Sequence, residues 1–440
     1  MKRLSALLLV AILVFSTTFP YMAQENTINH EEQLYLPLHD YLVARFGEDF
    51  VENHNRSMEI AMNLYDLFPT TRTGEVMYPN DFAGLFIDCN GNLVVLVVED
   101  KDTPVAINSL VGNIRGNSDI LMMSASFSYN ELMALLNYLG DSLFDENSVY
   151  DMSNVTAMEL DVINNTVVVY LLYYSYDEIV NFQNAIINSP MITFRQGDVA
   201  EMDICLDFDN SLSLNYEAAN FEPLNVSSFS IHPGQRIYLM RGSVLVSSGS
   251  VGFRATRAGR VGFTTAAHLG LGDVAGTLRT GDIIVDSLRR HVGTVDTAQL
   301  NRYDTAFVSL APNVFMTNSV YTATEGAVLP QTRPNIIGSL VIMDGSTSGR
   351  RNIGIILTTT WLGNIGSGGV SFPVNNIARA SVPAQPGDSG GIVYSYLQAN
   401  HIPLFGVNGM VISKFASDGS NDVLFTRVEN VLFIFGMTLQ

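Results

Sequence analysis

Ser389 stands in Pro386-Gly387-Asp388-Ser389-Gly390-Gly391, where flanking glycines let the chain turn sharply around a hydroxyl. A serine hydroxyl is a weak nucleophile near neutral pH and needs a base within hydrogen-bond reach. An imidazole fits that task because its ordinary pKa lies near working pH. His268, at the end of Thr265-Ala266-Ala267-His268, is the candidate base. Asp304, in Tyr303-Asp304-Thr305-Ala306-Phe307-Val308, is the candidate carboxylate that holds the imidazole in one tautomer. Their chain order is His, Asp, Ser, and together they could carry out nucleophilic acyl transfer. The oxyanion of such a reaction needs converging donors, and the peptide N–H groups of Gly387 and Ser389 are suitably spaced. His291 and His401 have no carboxylate in a comparable motif. Asp388 reads as a structural residue that pairs with a nearby positive group to hold the loop.

The elements that must position these residues change character near Asn225–Gly234, where Ser, Pro and Gly concentrate. From residue 231 the chain alternates short β-rich runs with Gly, Asn, Ser or Thr turns. Ser243–Ser247, Arg260–Thr265, Ile283–Asp286, Thr305–Leu310, Ile336–Met343, Ile353–Thr360 and Leu404–Val411 are such runs, and the pattern predicts an all-β sandwich or barrel. Arg427–Phe435 reads as a closing helix. Before the boundary the pattern is α+β. Apolar residues from Leu38 to Leu67 recur at helical steps, and Glu52-Asn53-His54-Asn55 is the expected break between two helices. Asn90-Gly91 and Asn164-Asn165 sit between apolar runs and predict hairpins. Ser128-Tyr129-Asn130-Glu131 and Ser175-Tyr176-Asp177-Glu178 predict helix starts. Hairpin followed by helix gives a weak internal repeat over about 80–195.

Composition bounds the rest. The 440 residues, 47% hydrophobic and 10% aromatic, suffice for two or three packed domains. The net charge of −20 hides an asymmetry. Residues 231–440 carry fourteen Arg and one Lys against nine Asp and two Glu, a net of +4, which leaves −24 for residues 1–230. An acidic N-terminal part could therefore dock on a mildly basic C-terminal one. Basic residues are scattered, so nothing points to nucleic acid. Lys2, Arg3 and the apolar run Leu7–Phe15 have the layout of a secretory signal, with cleavage expected near Ala23. No later apolar run is long enough to span a bilayer, and no integral membrane segment is expected. Cys89 and Cys205 could pair in an exported protein but cannot define a disulfide framework. No Cys/His grouping has metal-ligand spacing, and no cofactor is implied.

The three motifs resemble the chymotrypsin-like serine proteases, most closely the streptogrisin and alpha-lytic protease branch. Val251-Gly252-Phe253 and Gly262–His268 match that family's opening strands and catalytic histidine. Gly345-Ser346-Thr347-Ser348-Gly349 resembles its glycine-threonine hairpin, Pro386–Gly391 its nucleophile loop, and Phe425-Thr426-Arg427-Val428 the start of its closing helix. The resemblance covers 231–440. It implies a catalytic domain of two six-stranded β-barrels, with His268, Asp304 and Ser389 as the triad and Gly387 and Ser389 as the oxyanion hole. It also implies that the acidic, α+β segment 24–230 is a pro-region that aids folding and inhibits the enzyme until it is cut off. Residues 1–23 would be the signal peptide, and the maturation site would lie in 225–237. The product would be a secreted endopeptidase acting on proteins or peptides, a monomer once mature. Specificity-pocket walls are expected from Val382–Gln385 and Gly406–Val411. They hold no acidic residue, so neutral side chains facing Asn408, Gly409 and Met410 are expected at the cleavage position. Leu269 stands where the family usually has cysteine. Two other readings are a catalytically silent secreted binding protein of this fold and a periplasmic quality-control protease. The latter expects a peptide-binding domain after the catalytic one.

Overall fold

A computed structural model describes residues 36–71, 76–99, 106–114, 119–143, 152–201, 228–242, 244–272, 277–317, 320, 331–367, 370–399, 402–417 and 420–440. The expected signal peptide, Cys205, His401 and residues 225–227 of the expected maturation window lie outside the described residues.

The N-terminal half opens with helices α1 (Leu38–Phe46) and α2 (Glu48–Asp66). They part at Gly47, whose φ of 89° no β-carbon favours. The expected break at Glu52–Asn55 is not found: that segment lies inside α2, and its His54 is buried. Antiparallel β1 (Phe82–Ile87) and β2 (Leu93–Val97) form the hairpin predicted at Asn90-Gly91. Helix α3 (Ile107–Gly112) then leads to β3 (Ile120–Ser124), which runs parallel to β2. Helix α4 (Tyr129–Leu143) starts at the predicted capping box: Ser128 N donates to Glu131 Oε2 at 2.8 Å, and Glu131 N to Ser128 Oγ at 3.3 Å. A second hairpin, β4 (Val155–Asp161) and β5 (Thr166–Leu171), turns at left-handed Asn165. Helix α5 (Tyr176–Ala185), capped by Ser175, precedes β6 (Ile192–Gln196), parallel to β5. The repeat is thus ββαβ in both units. In the first unit the helix is short α3, too weakly patterned to see in sequence, and α4 joins the units. A two-residue strand, β7 (Ala200–Glu201), ends this half.

In the C-terminal half, β8 (Phe229–Ile231) comes first, followed by β9 (Arg236–Arg241), β10 (Val244–Ser250), β11 (Arg254–Arg257) and β12 (Arg260–Ala266). Next come β13 (Ile283–Val285), β14 (His291–Gln299), β15 (Thr305–Leu310) and β16 (Val314–Met316), which pairs in parallel with β8. The second group is β17 (Leu340–Gly345), β18 (Gly349–Ser367), β19 (Val370–Ala380), β20 (Ile392–Ala399), β21 (Ile402–Ser417) and β22 (Ser420–Arg427). Helix α6 (Val428–Phe435) is stopped by left-handed Gly436, and β23 (Met437–Leu439) closes the chain.

The C-terminal half is mostly β and falls into two sheets. The first has eight strands, ordered β10-β9-β13-β14-β15-β12-β11-β23, rather than the six expected. Val251-Gly252-Phe253 interrupts one run to make two strands, and β23 adds to β11 after the helix. The second sheet does use six strands of this half, β17-β20-β21-β22-β19-β18, and then continues without a break into β4-β5-β6 of the N-terminal half. Leu362 and Gly363 of β18 pair with Met158 and Ala157 of β4. Two apolar cores consequently contain residues of both halves. One joins Tyr41, Leu42 and Tyr170 to Trp361, Ile365 and Phe415, and the other joins Leu136 and Val169 to Val393, Val411 and Phe425. A third core, around Phe263, Val295 and Val308, lies within the first sheet. Among the described residues no helix is long and apolar enough to cross a membrane.

Candidate active site

Strand β12 delivers the chain to a short 3-10 turn, Ala267–Gly272, whose second residue is His268. Asp304 stands just before β15, the strand paired with β12, so the ladder itself brings the two together. Ser389 lies in the connection from β19 to β20, on the other sheet. His268 Nδ1 is 2.5 Å from Asp304 Oδ2, and His268 Nε2 is 2.9 Å from Ser389 Oγ. The second carboxylate oxygen of Asp304 accepts from the backbone N–H of His268 at 2.8 Å. His268, Asp304 and Ser389 are 1%, 0% and 5% exposed, so this chain of hydrogen bonds is sheltered from water, which strengthens each link. Burial raises the Asp304 pKa, opposed by His268 and by backbone N–H donors. Asp304 takes a left-handed φ of 45°, a conformation aspartate tolerates better than most residues, and its backbone carbonyl accepts from Ala267 N at 3.2 Å.

The nucleophile loop is held from beneath by residues that motif reading missed. Buried Ser250, at the end of β10, donates through its N–H to Ser389 O and through Oγ to Gly387 O, both at 2.8 Å. Its Oγ also accepts from Ser346 N at 2.9 Å, and its carbonyl accepts from Thr265 Oγ1 at 2.9 Å. Gly390, at φ 88°, sits so close that a β-carbon would lie 2.4 Å from both Ser250 O and Thr265 Oγ1. With the Gly387 carbonyl turned inward, the N–H groups of Gly387 and Ser389 make no hydrogen bond among the described residues. Two free donors thus flank the Ser389 hydroxyl. Thr426 Oγ1 donates to Tyr303 O at 2.5 Å, tying the second sheet to the residue before Asp304. Ser250 carries no local motif, and the Phe425–Val428 match does not mark Thr426 as a site residue; only the tertiary fold brings them to the site.

Among the described residues Asp388 pairs with no positive group. Its carboxylate accepts from the backbone N–H groups of Thr347 and Ser348 at 2.9 Å and of Gln385 at 2.8 Å, and from Ser348 Oγ. Amide donors replace a cation, and the Ser346–Ser348 turn is pinned to the nucleophile loop. Leu269 is 3% exposed and packs in the first-sheet core, while its carbonyl accepts from Ser247 Oγ. Packing holds that turn at the position where the resemblance would place a cysteine. Among the described residues the His291 ring hydrogen-bonds only within its own strand, at Gly293 O and Thr294 Oγ1.

The expected substrate contacts are placed differently. Asn408 and Met410 are fully buried. Asn408 accepts from Ser395 Oγ at 2.6 Å and donates to Asn335 Oδ1 at 3.2 Å, which leaves it turned into the protein, not toward a cleft. A β-carbon on Gly409 would meet Thr426 O at 2.2 Å, so that residue is packed as well. The neighbour that reaches the nucleophile is Val411, whose carbonyl accepts from Gly390 N at 2.8 Å and whose N–H donates to Gly391 O at 2.9 Å. Further along the same strand, β7 is seated: Lys414 pairs antiparallel with Glu201, and Ser413 Oγ donates to Glu201 O at 2.6 Å. On its other side β7 pairs with Ile365 and Gly366 of β18. Among the described residues no three His, Cys, Asp or Glu side chains gather as metal ligands.

Residues 22–125 match the family model of the Pro-like N-terminal domain, and residues 130–197 that of the Pro-like C-terminal domain. Solved structures similar to this chain include Thermobifida fusca protease A, at 22% identity over 48% of this chain and 98% of that one, with a TM-score of 0.37. The Nocardiopsis protease is 25% identical over 48% of this chain and 100% of its own, with a TM-score of 0.37. Alpha-lytic protease homolog N4 is 17% identical over the same shares, also at 0.37. No curated protein matches the chain.

Proposed function

We propose that the chain is the zymogen of a secreted serine endopeptidase, with residues 1–23 as signal peptide, 24–230 as pro-region and 231–440 as the catalytic domain. The observation that carries this reading is the buried hydrogen-bonded line Asp304–His268–Ser389 beside two unpartnered amides. Ser389 Oγ attacks the scissile carbonyl carbon while His268 Nε2 takes the hydroxyl proton. Asp304 holds the Nδ1 proton in place and stabilises the imidazolium that forms. The carbonyl oxygen, now an oxyanion, accepts from Gly387 N and Ser389 N. Collapse breaks the C–N bond, and His268 gives its proton to the departing amine. Water then attacks the acyl ester with His268 again as base, which releases the acid and regenerates Ser389. No metal or organic cofactor takes part in this scheme.

The pro-region reading rests on the Pro-like matches and on the seat of β7. An extended segment already pairs with the strand that passes the nucleophile, and a substrate peptide could not use the same edge. The pro-region is thus an inhibitor in cis, and its shared cores with the second sheet make it a folding partner. Once it is removed, the enzyme acts as a monomer on protein or peptide substrates.

Intact-mass analysis of wild type and Ser389→Ala, before and after a fluorophosphonate probe, tests the reading. Wild type is expected to lose its N-terminal part by a cut in 225–237 and to gain one probe mass on Ser389. The Ser389→Ala chain should stay whole and unlabelled. Folded wild type that remains unlabelled even after a trace protease trims it sinks the proposal.

A further inference from the structure

Arg236 begins β9 and is half-buried. Its Nη2 donates to Thr347 Oγ1 at 2.7 Å and its Nε to Ser346 Oγ at 3.3 Å. Both hydroxyls belong to the turn that Asp388 pins to the nucleophile loop. A β-carbon built on Gly387 would lie 2.5 Å from Thr347 Oγ1 and 3.5 Å from Arg236 Nη2. The guanidinium therefore borders the face of the residue that supplies one of the two free amides. Among the described residues no carboxylate faces it, whereas Arg195, Arg241, Arg257, Arg260, Arg290 and Arg379 each have one. Two hydroxyls fix the guanidinium while its remaining N–H groups lack a partner among the described residues, which leaves a positioned cation for an anion from outside.

The polarity of β7 says which part of a substrate passes there. Glu201 pairs antiparallel with Lys414, so a chain in that seat runs toward Val411 and the nucleophile as its numbering rises. Residues on the acyl side of the scissile bond lie along β21. A substrate continuing in that direction past Ser389 would meet the side of Gly387 and the Ser346–Ser348 turn, where Arg236 stands.

We propose that Arg236 makes this enzyme selective for substrates with an acidic side chain immediately on the leaving-group side of the cleaved bond. The proposal rests on Ser389 being the acyl-transfer nucleophile. A half-exposed ion pair supports about a fivefold preference. The test uses the full chain after its own maturation, with intact mass showing that the cut precedes Arg236, as wild type, Arg236→Gln, Arg236→Lys and Arg236→Glu. The probes are quenched peptides with one neutral acyl-side sequence and Asp, Gln or Lys at the first two positions after the bond. Wild type should favour the Asp over the Lys peptides in kcat/KM by about fivefold or more. Arg236→Gln should level the ratio, Arg236→Lys should keep part of it, and Arg236→Glu should invert it. The ratio is internal to each variant, so a general loss of activity from a loosened Ser346–Ser348 turn does not imitate the result. Wild type that is labelled at Ser389 and cleaves all peptides equally overturns the role of Arg236 alone, as does a ratio unmoved in Arg236→Gln. Wild type that neither labels nor cleaves overturns the hydrolase reading and this one with it.

Discussion

Arg379 of β19 is the most exacting contact between the two halves, and removing it gives a signed expectation. Its Nη2 and Nε donate to the two Glu159 carboxylate oxygens of β4 at 2.6 and 3.1 Å, and its Nη1 donates to Asp422 Oδ2 at 2.5 Å. Tyr170 OH adds a donor to Glu159 Oε1 at 2.6 Å. Arg379, Glu159 and Asp422 are 7%, 2% and 4% exposed, so the group is two carboxylates and one cation out of water. Arg379→Met takes away the cation that joins the two buried carboxylates, the situation that costs about 3–5 kcal/mol when a buried pair is broken. Glu159→Gln instead leaves a neutral Arg379–Asp422 pair and forfeits charge-assisted hydrogen bonds, a loss of about 2–3 kcal/mol. The Arg379 variant must therefore be the worse of the two at pH 7. Its deficit must also shrink toward pH 5, because a carboxylate stranded beside another takes up a proton. The measurement is urea unfolding of the full chain in a Ser389→Ala background, which prevents self-cutting. Fluorescence of Trp361, the chain's single tryptophan, reports this seam directly, since it is fully buried in β18 with its ring 5.5 Å from that of Phe415. A larger loss in Glu159→Gln than in Arg379→Met, or an Arg379→Met deficit that ignores pH, refutes the electrostatic account and leaves shape alone as the cause.

Ser250→Ala removes the donor to Gly387 O and the acceptor for Ser346 N. We expect a loss of about 1–3 kcal/mol in stability, with a larger fall in the rate of fluorophosphonate labelling than in folded fraction; unchanged labelling would show that the loop holds itself. Asp344 is buried, with Oδ2 lacking a partner, and burial pushes its pKa up from 3.8 to about 6. Its contribution favours the folded state below pH 3.8 and is lost as pH rises through about 6, roughly 3 kcal/mol in all. Asp344→Asn should flatten that slope and raise neutral-pH stability, which urea melts at pH 4.5 and 7.5 in the Ser389→Ala background would reveal; a slope unchanged by the substitution assigns it elsewhere.

The hydrogen-bonded line His268, Asp304 and Ser389 was legible because each sits in a short motif whose chemistry constrains its neighbours: small residues before His268, glycines around Ser389, an apolar strand after Asp304. Capping boxes and Asn turns in the N-terminal half were legible for the same local reason. What stayed hidden depends on distance in sequence. Ser250 and Thr426 look like ordinary strand residues until pairing sets them under the nucleophile loop and beside Tyr303. Asn408 looked like a pocket residue because its motif is polar, yet polarity also serves an internal pair with Ser395 and Asn335. The helix break was misplaced at Glu52–Asn55 because those residues are polar as a group. Within α2, however, His54 faces inward, its Nε2 accepting from Leu340 N at 3.0 Å while burial holds its pKa down to about 4. The joining of β18 to β4 was invisible, since an apolar strand does not say which edge it will meet.

Two kinds of hydrogen bond divide the work in this chain. Those that shape the site use only residues of the catalytic half: Ser250 to Gly387 and Ser389, Asp388 to its four donors, Thr426 to Tyr303, and Asp304 to His268. Those that cross to the N-terminal half lie along the second sheet: His54 to Leu340, Glu159 to Arg379, Leu36 O to Arg351 Nη1 at 2.5 Å, and Glu201 O to Ser413. Removing the N-terminal half therefore breaks no bond within the triad or around its amides. It leaves groups on β17, β18 and β21 that water can satisfy once exposed, and Arg379 keeps Asp422. A partner attached in this way can occupy the peptide edge and complete the sheet while the chemistry beneath is already assembled. The separation follows from where the donors and acceptors lie, and it makes departure of the N-terminal half an unblocking step, with no need to rebuild the site.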